Sequence, residues 1–246
     1  MRIAIAGGSG TVGRHVVEVV RAHGHESLVL ARAEGVDLVT GRGLDLTGVD
    51  AVIDVSGTST QSAKRSRGFF SAATGNLLAA GALAAVRHHV ALSIVGVDRA
   101  PHGYYAGKAA QEQLIAAGRM PWTVLRATQF HEFAEQMVSN MRFARSVGVP
   151  SMRTRPVAAR TVAERLVEVA EGEPEGFALE IAGPREERMA QMVRDLIAAR
   201  GDGLRVLEVP LPGRFGRALR DGSILPSGSG AAYCAGPSFA EWLARS

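Results

Sequence analysis

The 246 residues include a single cysteine, Cys234. No disulfide can close within one chain, and a cysteine-based zinc or iron–sulfur site is excluded. A reducing, intracellular setting is therefore expected. Aromatic residues are scarce, at 5%, and no basic run carries them interleaved. The net charge of +4 and pI near 9.8 reflect a mild excess of scattered arginines. Nucleic acid is accordingly not the expected partner. Long hydrophobic runs are also missing. The most apolar long segment, Phe70–Val86, is alanine-rich and carries Ser71, Thr74 and Asn76. It reads as a buried helix and not as a membrane span. The apolar stretch at the start meets Gly7-Gly8 too soon for a secretory leader. No repeat of 20–50 residues and no low-complexity tract is present. A cytosolic globular protein without metal or membrane is the expectation, with its oligomeric state left open.

What is present is an alternation of short apolar runs with helical stretches, the mark of a parallel α/β sheet. Strands are expected at Arg2–Ala6, Ser27–Leu30, Ala51–Val55, Val90–Val95 and Thr123–Arg126, with a short one at Val36–Val39. Between them, Thr11–Ala22 carries Val12, Val16, Val19 and Val20 at helical spacing. Further helices are expected at Phe70–Val86, Tyr104–Ala117 and Phe130–Val147, and Gly57–Gly68 reads as a polar loop. Beyond Val149-Pro150, Thr161 can cap a helix Val162–Glu171. Ala178–Ile181 and Leu204–Val209 read as strands, and Arg188–Arg200 as a helix. Pro210–Ser246 is rich in Gly, Pro and Ser and reads as an irregular lid. The fold class is a doubly wound parallel sheet of six or seven strands.

The first strand runs into Gly7-Gly8-Ser9-Gly10-Thr11-Val12-Gly13, which opens a helix. Spacing and context match a dinucleotide loop. Gly7 permits the tight turn, Gly10 admits a pyrophosphate against the backbone, and Gly13 lets the helix pack on the strand. The phosphates would then meet free N–H groups and the positive end of the helix dipole. After the second strand, an acid reads the ribose hydroxyls of NAD, and a basic residue the 2′-phosphate of NADP. Arg32 comes first here, with Glu34 as competitor, so NADP is favoured and NAD is the alternative. On this reading residues 1–183 form the NAD(P)-binding domain and 184–246 a small substrate-side part.

Gly7-x-x-Gly10-x-x-Gly13, Asp45-Leu46 and Val55-Ser56-Gly57 resemble the short-chain dehydrogenase/reductase superfamily, in its atypical and extended branch. That branch includes nitrogen-metabolite-repression-regulator-like and sugar-epimerase-like proteins. Thr74-Gly75-Asn76-Leu77-Leu78-Ala79-Ala80 resembles the helix before the family's serine strand. Tyr104-Tyr105-Ala106-Gly107-Lys108 resembles the Tyr-x-x-x-Lys motif, and Leu125-Arg126-Ala127-Thr128-Gln129-Phe130 the loop flanking the nicotinamide. The resemblance covers roughly residues 1–185. It implies a cofactor-binding set of Gly7, Ser9, Gly10, Thr11, Val12, Gly13, Arg32, Asp45, Leu46, Ser56, Gly57, Lys108, Ala127, Thr128 and Phe130. It implies catalytic roles for Tyr104, Lys108 and Ser93.

Tyr104 and Lys108 are i and i+4 on a helix and share a face. A neighbouring ammonium is expected to lower the tyrosine pKa toward neutrality, fitting the phenol for proton transfer at a carbonyl during hydride transfer. Tyr105 is a rival three residues before the lysine. Ser93 is the only serine in its strand. It occupies either the catalytic position or an earlier structural one, which would put Ile94 or Val95 at the catalytic position. Three functions follow. The first is an NADP-dependent oxidoreductase acting on a small or medium carbonyl, quinone or enone. The second is a dinucleotide-sensing regulator with little chemistry, and the third an epimerase acting on a nucleotide sugar.

Several residues read otherwise. His15, His23, His25, His88 and His89 lack acids at ligand spacing. His131-Glu132 reads as a helix-surface pair or a substrate contact, and Phe130 and Phe133 as pocket or core. Lys64, Arg65 and Arg67 read as a solvated loop, Glu164, Glu168 and Glu171 with Arg165 as a solvated helix face, and Cys234 as a packing residue.

Overall fold

The structure, a computed structural model, describes residues 1–226 and 232–245. The chain divides into two compact units, one of Met1–Arg126 with Val162–Leu179, the other of Ala127–Thr161 with Glu180–Ser246. The division crosses the chain at three places, where the sequence reading has one cut at 183/184. A segment's own periodicity does not tell which unit it returns to.

In chain order the elements begin with β1 (Arg2–Ala6), α1 (Thr11–Ala22), β2 (Glu26–Leu30), β3 (Ala51–Asp54) and α2 (Ala63–Leu83). Next come β4 (His88–Ile94), α3 (Tyr104–Ala117), β5 (Trp122–Ala127), α4 (Phe133–Asn140), β6 (Arg142–Phe143), β7 (Ser146–Pro150) and β8 (Arg153–Thr154). Then follow α5 (Ala159–Glu171), β9 (Gly176–Phe177), β10 (Glu180–Ala182), β11 (Glu187–Arg188), α6 (Met189–Arg200) and β12 (Arg205–Val209). The last are α7 (Gly213–Asp221), β13 (Ala232–Cys234) and α8 (Phe239–Leu243).

The first unit holds a parallel sheet with flanking helices, in the order β5-β4-β3-β1-β2, with β9 beside β5. Ile3 lies opposite both Ser27 and Ala51, and Asp54 opposite Ala91. Strands β1 and β3 are apolar nearly end to end because both their faces are covered. Helix α1 buries Val12, Gly13, Val16, Val19 and Val20 and turns its charged residues outward. Phe70 and Leu77 of α2 are fully buried, each stabilising the fold by about 1.5–3 kcal/mol.

Three local expectations change. Residues 36–39 form no strand. Asp37 Oδ1 accepts the N–H groups of Val39 (2.9 Å) and Thr40 (3.3 Å), and only an Asp37–Arg42 bridge remains. That turn uses donors a ladder would need. Helix α2 begins at Ala63, capped by Ser62 Oγ, which accepts the Arg65 N–H. Lys64, Arg65 and Arg67 are therefore helical residues. Thr161 lies inside α5, and the cap is the Glu132 carboxylate, which accepts the Ala159 N–H (3.2 Å).

In the second unit β10 pairs in parallel with β13, β8 runs antiparallel to β11, and β7 lies between β6 and β12. The helix expected over Phe130–Val147 stops at Asn140. A turn at Ala144, φ +49°, joins β6 to β7, where Val147 and Val149 alternate inward. That two-residue period overrides the helical reading. Instead of an irregular lid, the C-terminal stretch contains α7, β13 and α8. Residues 227–231 and 246 of that lid lie outside the described residues.

Candidate active site

Strand order reverses at β1, so a crevice opens beyond the carboxyl ends of β1 and β3, where doubly wound sheets bind ligands. Gly7 turns the chain there with φ +82°. A Cβ on Gly7 would stand 2.8 Å from Ser56 Cα, and one on Gly13 2.2 Å from Gly7 O. A third glycine, Gly8, closes the turn against Val29. A Cβ on it would lie 3.0 Å from Val29 Cγ1. That requirement is invisible in the spacing of the motif.

Gly10 caps α1 with extended backbone and no side-chain partner, and the first helical hydrogen bond runs from Arg14 N–H to Gly10 O (3.0 Å). The N–H groups of Thr11, Val12 and Gly13 precede that bond, as orphan donors at a helix start do. Ser9 and Gly10 are exposed at the loop tip, whereas the Val12 side chain is in the core. This cradle, with no room for a Cβ and with donors at a positive helix end, fits a dinucleotide pyrophosphate.

Arg32 is exposed and opens a single 3-10 turn, Arg32–Glu34, directly after β2. Asp45 is exposed. The Thr47 hydroxyl (2.7 Å) and N–H (2.8 Å) donate to its carboxylate and hold it below the usual carboxylate range. Leu46 is a core residue. Ser56 is buried. Its N–H donates to Asp54 Oδ1 (2.9 Å), and its Oγ has no hydrogen-bond partner among the described residues. Ser93 on β4 is likewise buried with an unpartnered Oγ. Two buried hydroxyls without partners are costly unless something else satisfies them.

Tyr104 and Lys108 open α3, which is pressed against α2. A Cβ on Gly107 would lie 2.1 Å from Ser66 Oγ, and Ser66 Oγ donates to Tyr104 O (2.9 Å). The Tyr104 ring meets Phe70 edge-on at 5.5 Å. Its hydroxyl lies against Gly57, where a Cβ would be 3.1 Å away. Lys108 is buried. Its Nζ donates to Leu92 O and to Gln111 Oε1, both at 2.7 Å, and lies 4.6 Å from the centre of the Phe70 ring.

The electrostatics correct one expectation. The Tyr104 phenol is pushed up from its ordinary value, first by burial and then by the Asp54 and Tyr105 charges. Tyr105 is pushed up to about 12 by burial. Burial pulls Lys108 down to about 8, against the opposing pull of Asp54 and Glu112. The lysine spends its hydrogen bonds elsewhere, and Tyr104 holds its proton at neutral pH.

In the second unit Ala127 lies opposite Ile181. The Thr128 N–H donates to Ile181 O (3.0 Å) and its hydroxyl to Arg155 O (2.6 Å). Phe130 bridges Val157. His131 is no surface residue. It is buried, its Nε2 lies 3.0 Å from Pro237 O, and its ring packs on Phe239 and Trp242. Burial lowers its pKa. Cys234 is exposed, not packed, and its Sγ accepts from Arg155 (2.9 Å).

Among the remaining residues of the first unit, Glu171 is no free helix-face acid. One of its oxygens meets His23 Nδ1 and His25 Nε2, each at 2.8 Å. Among the described residues no group of three or more His, Cys, Asp or Glu could hold a metal ion, and no helix is long and apolar enough to cross a membrane.

No protein-family model and no curated protein matches the chain. Solved structures do. A dTDP-4-dehydrorhamnose reductase from Clostridium acetobutylicum is 14% identical with a TM-score of 0.69, over 85% of this chain and 84% of that one. The UDP-glucose 4-epimerase of Thermus thermophilus, in complex with NAD, is 20% identical with a TM-score of 0.66, over 88% of each chain. A short-chain dehydrogenase/reductase superfamily protein from Agrobacterium tumefaciens with bound NAD is 16% identical with a TM-score of 0.66, over all of this chain and 95% of that one. At these identities the likeness is one of fold, a central parallel sheet with flanking helices of the Rossmann-like α/β kind.

Proposed function

We propose that the protein is a cytosolic NADP-dependent oxidoreductase that passes hydride to or from a small or medium carbonyl, quinone or enone. The observation that carries this reading lies within the first unit. The glycine turn, which has no room for a Cβ at Gly7 or Gly13, packs on Ser56, and the Tyr104 hydroxyl stands against the neighbouring Gly57. Two of the solved neighbours are described with NAD, which supports a dinucleotide on this fold.

Bound there, a nicotinamide dinucleotide supplies or accepts the hydride. The N–H groups of Thr11, Val12 and Gly13 would hold its pyrophosphate, and Arg32 would pair with a 2′-phosphate. NAD is the alternative if Glu34 reads the ribose. Gly57 leaves room beside the phenol. Tyr104, protonated at neutral pH, donates to a carbonyl oxygen as charge develops there, which favours reduction. Ser93 Oγ, without a hydrogen-bond partner among the described residues, is the proposed second donor, and Lys108 the cation of the site.

The test is NADPH oxidation against a panel of quinones, aldehydes, ketones and enones, followed by Tyr104→Phe on the best substrate. A second reading, a dinucleotide-sensing regulator, is favoured by one observation. The Lys108 ammonium is bound to Leu92 O and Gln111. Tight NADPH binding with no turnover across the panel would replace the first reading by the second.

A further inference from the structure

Beneath the crevice runs a buried polar chain. Asp54 is fully buried at the end of β3. Its Oδ1 accepts the Ser56 N–H at 2.9 Å, and its Oδ2 accepts from Gln111 Nε2 at 2.8 Å. Gln111 Nε2 also reaches Thr74 Oγ1 at 3.2 Å, and its Oε1 accepts from Lys108 Nζ at 2.7 Å. Gln111 and Asp54 are 57 residues apart, and no motif of the sequence joins them.

The chemistry allows one orientation of this chain. An ionised carboxylate only accepts, so the Gln111 amide must turn its NH2 toward Asp54. Its carbonyl then faces Lys108, which only donates. A buried ammonium needs such acceptors, because leaving it short of them costs more than the bond itself gains. One carboxylate thus holds two parts of the site at once, the Ser56-Gly57 backbone through Oδ1 and the lysine through the glutamine.

We infer that Gln111 and Asp54 are positioning residues, a clamp that keeps Lys108 charged, aimed at Leu92 O and in register with the Ser56-Gly57 turn. The inference rests on the reading of Lys108 as the cation of the site. The groups that act on Lys108 are Asp54 on β3, Glu112 on its own helix, the Phe70 ring on α2 and Leu92 O on β4. The Asp54 charge also acts on His89, fully buried on β4. Glu112 is bound by Arg126 through both oxygens, whereas Gln111 holds the ammonium directly and Asp54 holds it through Gln111.

The chain contains two lysines, Lys64 and Lys108, and Lys64 is exposed on α2. Lysine labelled at Cε therefore yields two NMR signals that can be followed through a pH titration, with Lys64 as reference. In Gln111→Leu the ammonium loses its side-chain acceptor, and the Lys108 midpoint should fall by about one pH unit or more. Asp54→Asn should lower it in the same direction. Ser56 and Gln111 donate to different oxygens of Asp54, and the variant turns one of these acceptors into an NH2 that only donates, so it should also weaken NADPH binding. Gln111→Glu, able to share a proton with Asp54 and still face Lys108 with an oxygen, should stay closer to the native curve.

The alkaline limb of kcat/KM should move with the NMR midpoint, which a merely structural role would not produce. If Gln111→Leu fails to fold, Asp54→Asn and Gln111→Glu still give the readout. A Lys108 titration that stays at its native midpoint in folded Asp54→Asn or Gln111→Leu overturns the clamp. The titration needs no substrate. A clamp that shifts as expected beside an absent NADPH turnover therefore defeats the proposed function and not the clamp.

Discussion

Gly107→Ala sets two physical effects against each other. Alanine is the better helix former, by about 1 kcal/mol in a helix interior. Yet the new Cβ would stand 2.1 Å from Ser66 Oγ, 2.6 Å from Phe70 Cδ2 and 2.7 Å from the Ser66 carbonyl carbon. The serine hydroxyl can rotate away, but then it loses its bond to Tyr104 O, which contributes about 0.5–1.5 kcal/mol. The Ser66 backbone and the buried Phe70 ring cannot leave without moving α2 from α3, and such overpacking costs about 1–3 kcal/mol. Packing wins, and the expected net loss is about 0.5–3.5 kcal/mol after the propensity gain.

Urea unfolding followed by circular dichroism should show a lower midpoint at unchanged slope. Ser66→Ala alone should cost about 0.5–1.5 kcal/mol. The double variant should cost less than the sum, because the Oγ clash is gone from it. Since α3 carries Tyr104 and Lys108 on its first turns, Gly107→Ala should also depress turnover more than it depresses stability. A Gly107→Ala protein as stable as the native one would show that the helices do not meet at this glycine, and the packing argument would fail.

Other outcomes follow from the site. Tyr104→Phe keeps the ring on Phe70 and should leave NADPH affinity nearly intact while lowering the rate about 10²–10⁴-fold; retained turnover refutes the assignment, and Lys108→Ala should impair both binding and rate. Arg32→Ala should narrow an at least roughly tenfold preference for NADPH over NADH, a charge-assisted contact contributing about 1.5–3 kcal/mol; equal calorimetric affinities in the native protein would contradict it. Lys108 is charged below its midpoint of about 8 and neutral above, so NADPH affinity should fall as pH rises through that value, and a flat fluorescence titration from pH 6 to 10 would remove the lysine from the cofactor site. Duplex DNA should bind weakly and lose affinity steeply between about 50 and 200 mM salt; tight, sequence-dependent binding at physiological salt would instead favour the regulator.

Local rules go far in this chain. The bounds of α1 and α3 follow from apolar spacing and from the residues that start and stop helices, both of which act within a few positions. The strand–glycine–helix run is legible for the same reason, since a left-handed turn at Gly7 and open donors at a helix start are properties of contiguous backbone. Other features depend on what a residue meets across the fold. The serine cap that starts α2 early, the Asp37 turn that replaces a strand and the two-residue period of β7 lay in the sequence, but competed there with equally good local alternatives. The burial of His131, the pressing of Gly107 on Ser66 and the aim of the Lys108 ammonium had no local signal at all. A hydrogen-bond partner 57 residues away, as Asp54 is to Gln111, is selected by strand order and helix packing, and the charge of a buried lysine by the carboxylates that packing brings to it.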